Sequence, residues 1–387
     1  MNYCKHKDFT VSEIGVGCYS LSGVYGKKDI NEFRNMINRA YELGVNFFDT
    51  AEAYGNAEEI LGEIVKPYRK NVYIATKVGI KEGMVPNLSE DYIKHACVDS
   101  LNHLKTDYID LYQIHFDDPN TPVENTINAL ENLKKEGKIR QYGVGHLPAD
   151  RVKRYFKIGS PFSLLMELSA VAREARERLL PLCKEYNVGA IAFSTTGRGI
   201  LTGRFQKGKQ FEAQDLRNID PLFQYERYES ALRVTDEFVR IGEKYGKTSA
   251  QVAINWVLSQ TNVICALTGP STIPHLEENI GASGWSISKD DLVELEIFFS
   301  KEDVSLRDTQ KKTLERILQS ALPEEPFKAF TDLVYAIETA ILLDLTTEKD
   351  IMPVYQTLLG IYRNLNETTK ESLESVQLEL KKIINFG

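Results

Sequence analysis

Eight short β-branched or aromatic runs alternate with amphipathic stretches along roughly the first 300 of the 387 residues. Such alternation calls for parallel strands joined by right-handed crossovers. Several runs are almost continuously apolar, residues 188–193 among them, as strands covered on both faces are. These observations predict an α/β fold, a closed (β/α)8 barrel of the TIM type over residues 1–300. Strand patterns then stop while helical periodicity continues, which predicts an all-helical module over 301–387. A doubly wound sheet is the rival, but it carries a glycine-rich phosphate turn after its first strand. Here the first strand runs into Gly15-Val-Gly-Cys-Tyr-Ser-Leu-Ser-Gly23, and no helix opens from it.

Strands are expected at 14–18, 45–49, 72–77, 108–115, 139–144, 162–168, 188–194 and 263–267. Apolar residues at three- and four-residue spacing place helices at 32–43, 57–65, 90–104, 123–136, 149–156, 175–186, 249–259 and 273–280. Residues 195–230 form a long segment rich in glycine and charge, and loops of that length are usually functional. Beyond 300, helices are expected at 303–321, 326–345, 348–364 and 369–384, punctuated by Pro323, Pro326, Pro353 and a polar turn opening at Asn364. The 326–345 stripe carries Lys328, Asp332 and Glu338, costly in lipid, so it reads as helix core.

The net charge is −8, which argues against a general nucleic-acid or anionic-membrane binder. Hydrophobic residues at 42 % and charged residues at 26 % exclude a disordered or fibrous chain. The opening MNYCKHKDFTVSEIGVG lacks the pattern of a secretory signal, and no run reaches the ~18 apolar residues of a membrane span. The five cysteines are odd in number and lack a C-x-x-C spacing, which points to reduced thiols in the cytoplasm.

In such a barrel, chemistry gathers at the C-terminal strand ends. The second strand ends in Asp49 and continues to Tyr54, the third ends in Lys77, and the fourth in His115. Neighbouring strands lie ~4.8 Å apart, so an acid, a phenol, an ammonium and an imidazole are expected at one rim. A phenol's ordinary pKa of about 10 is high for proton donation near neutrality. Lys77 is expected to pull it down, and Asp49 to keep that lysine charged and in place. His115 would orient a carbonyl oxygen, and Tyr54 would protonate it as hydride reaches the carbon. Glu52 reads as a solvated loop carboxylate. Cys18 and Tyr19 are expected to line the substrate mouth. His115-Phe-Asp117-Asp118 has no second histidine at ligand spacing, so no metal is expected.

The wider context of these residues is Gly44-Val-Asn-Phe-Phe-Asp49-Thr-Ala-Glu-Ala-Tyr54-Gly-Asn-Ala-Glu-Glu-Ile-Leu-Gly62, Ile74-Ala-Thr-Lys77 and Asp107-Tyr-Ile-Asp-Leu-Tyr-Gln-Ile-His115. Gly137-Lys-Ile-Arg-Gln-Tyr-Gly143, Gly197-Arg-Gly-Ile-Leu-Thr-Gly-Arg204 and His275-Leu-Glu-Glu-Asn279 follow. In order and spacing the set resembles the aldo-keto reductase superfamily over about residues 10–300. The resemblance implies a nicotinamide cofactor bound without a Rossmann domain, and a catalytic tetrad of Asp49, Tyr54, Lys77 and His115.

The superfamily usually places Ser-Asn after strand five and Gln on strand six, holding the nicotinamide carboxamide. This sequence has Gly145-His146 and Glu167 instead. His146 can donate or accept, and Glu167 can accept from the carboxamide NH2. Phe193 stands where an aromatic ring stacks on the nicotinamide. Ser194, Gly197, Gly199, Leu201 and Arg204 match the segment over the pyrophosphate, and Arg217 matches an arginine of the same long loop. Gly269, Ser271, Thr272, His275, Glu278 and Asn279 match the adenosine site. Members preferring NADP usually carry Lys or Arg there. Ser271, Thr272 and His275 leave both NADP(H) and NAD(H) open.

The sequence thus predicts an NAD(P)(H)-dependent oxidoreductase of the aldo-keto reductase or alcohol dehydrogenase type, acting on an aldehyde, ketone or sugar. The alternative is a weakly catalytic nucleotide-binding sensor whose helical module contacts a partner. The expected partner is a small carbonyl or alcohol, not nucleic acid or membrane. The extra helices are candidates for a pocket lid, for docking on the outside of the barrel, or for a homo-oligomer contact.

Overall fold

A computed structural model describes residues 1–22, 29–80, 85–212, 215–362 and 370–384. The chain divides into two compact units: Met1–Arg204 with Thr235–Ser288, and Phe205–Val234 with Lys289–Gly387.

The first unit opens with an antiparallel hairpin, β1 (Tyr3–His6) and β2 (Phe9–Ser12). Eight parallel strands follow: β3 (Ile14–Gly17), β4 (Phe47–Asp49), β5 (Tyr73–Val78), β6 (Ile109–Ile114), β7 (Ile139–Gly145), β8 (Ser163–Glu167), β9 (Gly189–Phe193) and β10 (Val263–Thr268). Each pairs with the next, and β10 returns to β3, so the sheet closes into the predicted barrel. Phe47, Ala75, Leu111, Leu165, Ile191 and Cys265 fill its interior. The hairpin was not expected. Its fully buried Phe9 packs on Tyr73 (4.5 Å between centroids) at the start of β5 and on Phe162 (4.7 Å) just before β8. Phe9 thereby plugs the strand-start end, and Asp49 and Lys77 lie toward the opposite, strand-end rim.

The helices are α1 (Ile30–Glu42), α2 (Ala57–Val65), α3 (Glu90–His103), α4 (Val123–Lys135), α5 (Ala149–Ile158), α6 (Glu174–Arg178), α7 (Leu180–Tyr186), α8 (Tyr225–Tyr245), α9 (Ser249–Leu258) and α10 (Ile273–Ile280). In α1 the Asp29 carboxylate accepts from the Asn31 and Glu32 amides, and Phe33, Met36, Ile37 and Ala40 are buried at helical spacing. Thr248 and Gln251 form a reciprocal capping box on α9. The single helix expected over 175–186 is two. Pro181 in the first turn of α7 has no N–H for the Glu177 carbonyl, and the helix breaks at Leu179, which ends α6 and precedes α7.

The second unit holds α11 (Lys289–Gln319), α12 (Pro326–Leu342), α13 (Glu348–Tyr362) and α14 (Lys370–Ile383) around Leu318, Phe330, Leu333, Tyr335, Leu358 and Leu373. Four helices were expected, but α11 starts at Lys289, so the 300/301 position lies inside a helix. Pro326 opens α12, whereas Pro353 sits inside α13 and forfeits one helical bond. The polar turn expected at Asn364 lies outside the described residues. Residues 205–234 also belong to this unit, and α8 begins within them. Tyr225 Oη donates to Asp332 and accepts from Lys328 (2.8 Å), and Glu226 accepts from Thr313 (2.9 Å) and Tyr335. Arg227 donates to Glu338 (3.0 Å). No described helix is long and apolar enough to cross a membrane.

Candidate active site

Register brings the tetrad together. Asp49 ends β4 opposite Ala75 of β5, and Lys77, two positions on, lies opposite Gln113 of β6. The two-residue period puts Asp49, Lys77 and Gln113 on one face. Lys77 Nζ donates to the Asp49 carboxylate, to the Thr50 carbonyl (2.8 Å) and to Tyr54 Oη (3.3 Å), which uses all three of its hydrogens. Only 2 % of Lys77 is exposed, and Asp49 and Tyr54 are also buried. Gln113 Nε2 donates to the second Asp49 oxygen (3.3 Å), and Gln113 Oε1 accepts from Ser163 (3.3 Å). His115 follows β6 directly, with its amide on the Val78 carbonyl (2.8 Å) and its ring edge-on to Tyr54 at 5.7 Å.

Burial opposes charge on Lys77, but Asp49 and Tyr54 outweigh it, and its pKa stands above the ordinary value. Burial also pushes Tyr54 up. Lys77 opposes the rise and Asp49 adds to it. The expected lowering of the phenol is therefore overturned: Lys77 acts in the expected direction, and desolvation exceeds it. Tyr54 is a neutral phenol, able to donate. Burial, reinforced by Lys77 and His146, holds His115 well below the histidine range, so its ring is neutral at pH 7. His115 Nδ1 is buried with no hydrogen-bond partner among the described residues.

Tyr19 reaches the mouth, 37 % exposed and 4.9 Å from the Tyr54 ring. Cys18 does not. It is fully enclosed, its amide bonds to the Asp49 carbonyl (2.8 Å), and burial drives its thiol far up, so it is core packing. His146 is exposed in a recess of aromatic rings, stacked on Phe193 (4.9 Å, 25°) and 4.6 Å from Phe116. The protein crowded around it, with Lys77 adding, lowers its pKa to about 4. The ring expected to face a nicotinamide thus has His146 against it. Glu52 is not a solvated carboxylate either. It accepts from the Gly79 and Ile80 amides (2.7 and 3.0 Å) and from Tyr92 (3.0 Å), bracing the loop after β5. Asp117 is engaged by Arg151 (2.8 Å) and Asp118 by Thr121 (2.6 Å), and no metal-holding cluster occurs among the described residues.

After β9 the backbone turns tightly. Ser194, Gly197, Arg198 and Gly199 all have φ between +53° and +94°. Ser194 Oγ is buried with no partner among the described residues. Leu201 is buried, and its carbonyl accepts from Ser249 (2.7 Å). Arg204, at the end of the turn, donates to Glu278 (2.5 Å) and lies 2.5 Å from His275 Nε2, whose other ring nitrogen meets Ser271 (2.8 Å). Two segments matched separately in the sequence thus converge, and a cation reaches an adenosine segment that carries none. Thr272 caps α10 through the His275 amide, Asn279 is buried on that helix, and a Cβ at Gly269 would meet open space. Arg217 lies in the second unit, gripping Asp215 and packing over Phe205 and Phe211. Glu167, at the end of β8, is held in a fork by Arg198.

Sequence reasoning missed Gln113, whose one signal is a polar side chain two positions before His115. It also missed the pairing of Arg198, an arginine between glycines with nothing nearby to name its partner.

The model of the aldo/keto reductase family matches residues 13–298. Aldo-keto reductase str7 of Strobilurus tenacellus is 33 % identical over 293 residues, which are 73 % of this chain and 87 % of that protein. Aldo-keto reductase YhdN of Bacillus subtilis is 31 % identical over 289 residues, 72 % and 87 % of the two chains. Among solved structures, the glycerol dehydrogenase AKR11B4 from Gluconobacter oxydans superposes with a TM-score of 0.72 at 28 % identity, covering 78 % of this chain and 96 % of that one. The holo form of aldo-keto reductase AKR11C1 from Bacillus halodurans gives 0.66 at 30 % identity, covering 76 % and 95 %. From the closed barrel, the lysine-centred cluster at its rim and these matches, the chain belongs to the aldo/keto reductase family.

Proposed function

We propose that this chain interconverts a carbonyl and an alcohol, in an aldehyde, ketone or sugar, with Tyr54 as general acid in reduction and general base in oxidation. The observation that carries the reading is Lys77 Nζ in contact with both Tyr54 Oη, at 3.3 Å, and Asp49. Tyr54 donates its proton to the carbonyl oxygen as the alcohol forms. Lys77 stabilises the phenolate left behind, Asp49 keeps Lys77 charged, and Gln113 holds Asp49. Neutral His115 donates to the same oxygen and fixes its direction.

A bound nicotinamide dinucleotide would supply the hydride. The residues fit it: Ser194 Oγ is a buried hydroxyl in need of a partner, beside a turn whose left-handed residues free backbone for close approach. Ser194, Gly197, Gly199, Leu201 and Arg204 would hold its pyrophosphate. Gly269, Ser271, Thr272, His275, Glu278 and Asn279 would hold its adenosine, and His146 and Phe193 would border its nicotinamide, while Glu167 is turned to Arg198. Arg204 lies beside Ser271 and His275 but is paired with Glu278, so both NADP(H) and NAD(H) stay open, and paired Kd measurements with NADPH and NADH decide between them. The five free cysteines support a reducing, cytoplasmic setting.

Tyr54→Phe keeps the ring and removes the hydroxyl, and with it the proton donor and the acceptor of the Lys77 bond. It should lower turnover on the order of 10²- to 10⁴-fold while cofactor affinity holds. Wild-type turnover in the variant would refute the assignment. The second reading, a nucleotide sensor, draws on His146 occupying a face of Phe193. Tight NADPH binding without multiple turnover across aldehydes, ketones and sugars would favour it.

A further inference from the structure

We propose that Arg198 is a positioning residue, whose fork on Glu167 latches the turn after β9 to the barrel rim and so sets dinucleotide affinity. The inference rests on the reading of this site as a cofactor site.

Arg198 Nη1 meets Glu167 Oε1 at 2.7 Å and Nη2 meets Oε2 at 3.1 Å, so both carboxylate oxygens take their direction from one planar guanidinium. The pair joins the end of β8 to the turn after β9, three elements on. Arg198 itself has φ +53°, between Gly197 at +57° and Gly199 at +94°. An L-residue adopts that conformation at a cost, and it persists where the surroundings hold it. At the far end of the same turn, Arg204 grips Glu278 on α10. Two arginine–carboxylate pairs therefore bracket residues 199–203, one tied to the sheet and one to a helix. A turn held at both ends presents its amides already ordered, and that ordering need not be supplied on binding.

The Arg198–Glu167 pair is part-exposed, at 29 % and 31 %, and pairs so placed add little to global stability. Its effect should therefore appear in binding rather than in folding. Glu167 then acts through Arg198, where the sequence had it meeting the carboxamide directly.

The test is a double-mutant cycle on the full chain with Arg198→Met, Glu167→Gln and the double variant, reading Kd for NADPH and NADH by fluorescence and thermal midpoint by calorimetry. Each single change should weaken binding roughly tenfold, and the double should be no weaker than either single. Arg198→Lys should rescue only in part, since an ammonium cannot make the fork. Turnover of Arg198→Met at saturating cofactor should match wild type, and midpoints should hold. Additive losses, or wild-type affinity in Arg198→Met, would overturn the latch alone. A wild-type chain that binds neither dinucleotide would overturn the cofactor reading, and the latch with it.

Discussion

Lys77 gives one hydrogen each to Asp49, Thr50 and Tyr54, so mutation can separate its charge from its packing. Lys77→Met removes the group that opposes the burial-driven rise of Tyr54. The phenol's pKa should climb further, by about 1–3 units for a lost neighbouring charge. Oxidation needs the phenolate, so its rising limb in a pH–rate profile should move to higher pH by that amount. The same change strands Asp49. Burial already raises its pKa, and without Lys77 it should keep its proton when folded and lose it when unfolded. The unfolded state then binds fewer protons, so Lys77→Met stability should fall as pH rises through the ordinary carboxylate range, a trend that urea midpoints at pH 4 and pH 7 will check. Adding Asp49→Asn should restore stability but not the oxidative limb. That Asp49, Tyr54, Lys77 and His115 would meet was legible because strand ends are written in a two-residue period. The direction of the Tyr54 shift was not, because a sequence lists charges but not the water that folding removes. Glu52 misled for a similar reason, its partners being amides after β5 and a tyrosine 40 residues on.

Most helices were legible in existence and less so at their joints, but α8, 21 residues from Tyr225 to Tyr245, was missed, its first turns having been read as part of a long loop. Gly62 of α2 shows what periodicity cannot carry. A Cβ there would lie 2.4 Å from the Leu104 carbonyl oxygen and 2.7 Å from its Cα, and the backbone ending α3 has little room to retreat. Gly62→Ala would gain helix propensity on an open surface. Here overpacking should dominate, destabilising by about 1–3 kcal/mol, measured as a lower urea midpoint at unchanged m-value. Equal or greater stability would mean that the two helices slide apart freely. The hairpin escaped notice because its strands have four residues each, too few to establish alternation. The joint between α6 and α7 turned on Pro181, one residue inside an apolar period that otherwise runs through.

At the scale of the molecule, the helical module accounts for a segment that looked like a barrel loop. Residues 205–234 bury Leu222, Phe223, Tyr228, Ala231 and Val234, and partners 69 to 111 residues further on hold the segment's polar groups: Glu302 for Ser230 and Arg233, and Asp332, Tyr335 and Glu338 for Tyr225, Glu226 and Arg227. Pairings at such separations leave no local pattern, which is why a sequence reading placed the segment with the barrel. A chain ending at Ser288 loses all of these partners at once, and the hydroxyls and charges of 225–233 would face water without them. Limited proteolysis should then cut within 205–234 on the order of tenfold faster than in the full chain, since cleavage tracks the population of the opened segment. Mass spectrometry of the early fragments locates the cuts. Faster cutting confined to this segment would mean that the C-terminal helices are its scaffold. Equal rates in both chains would mean that 205–234 keeps its shape unaided.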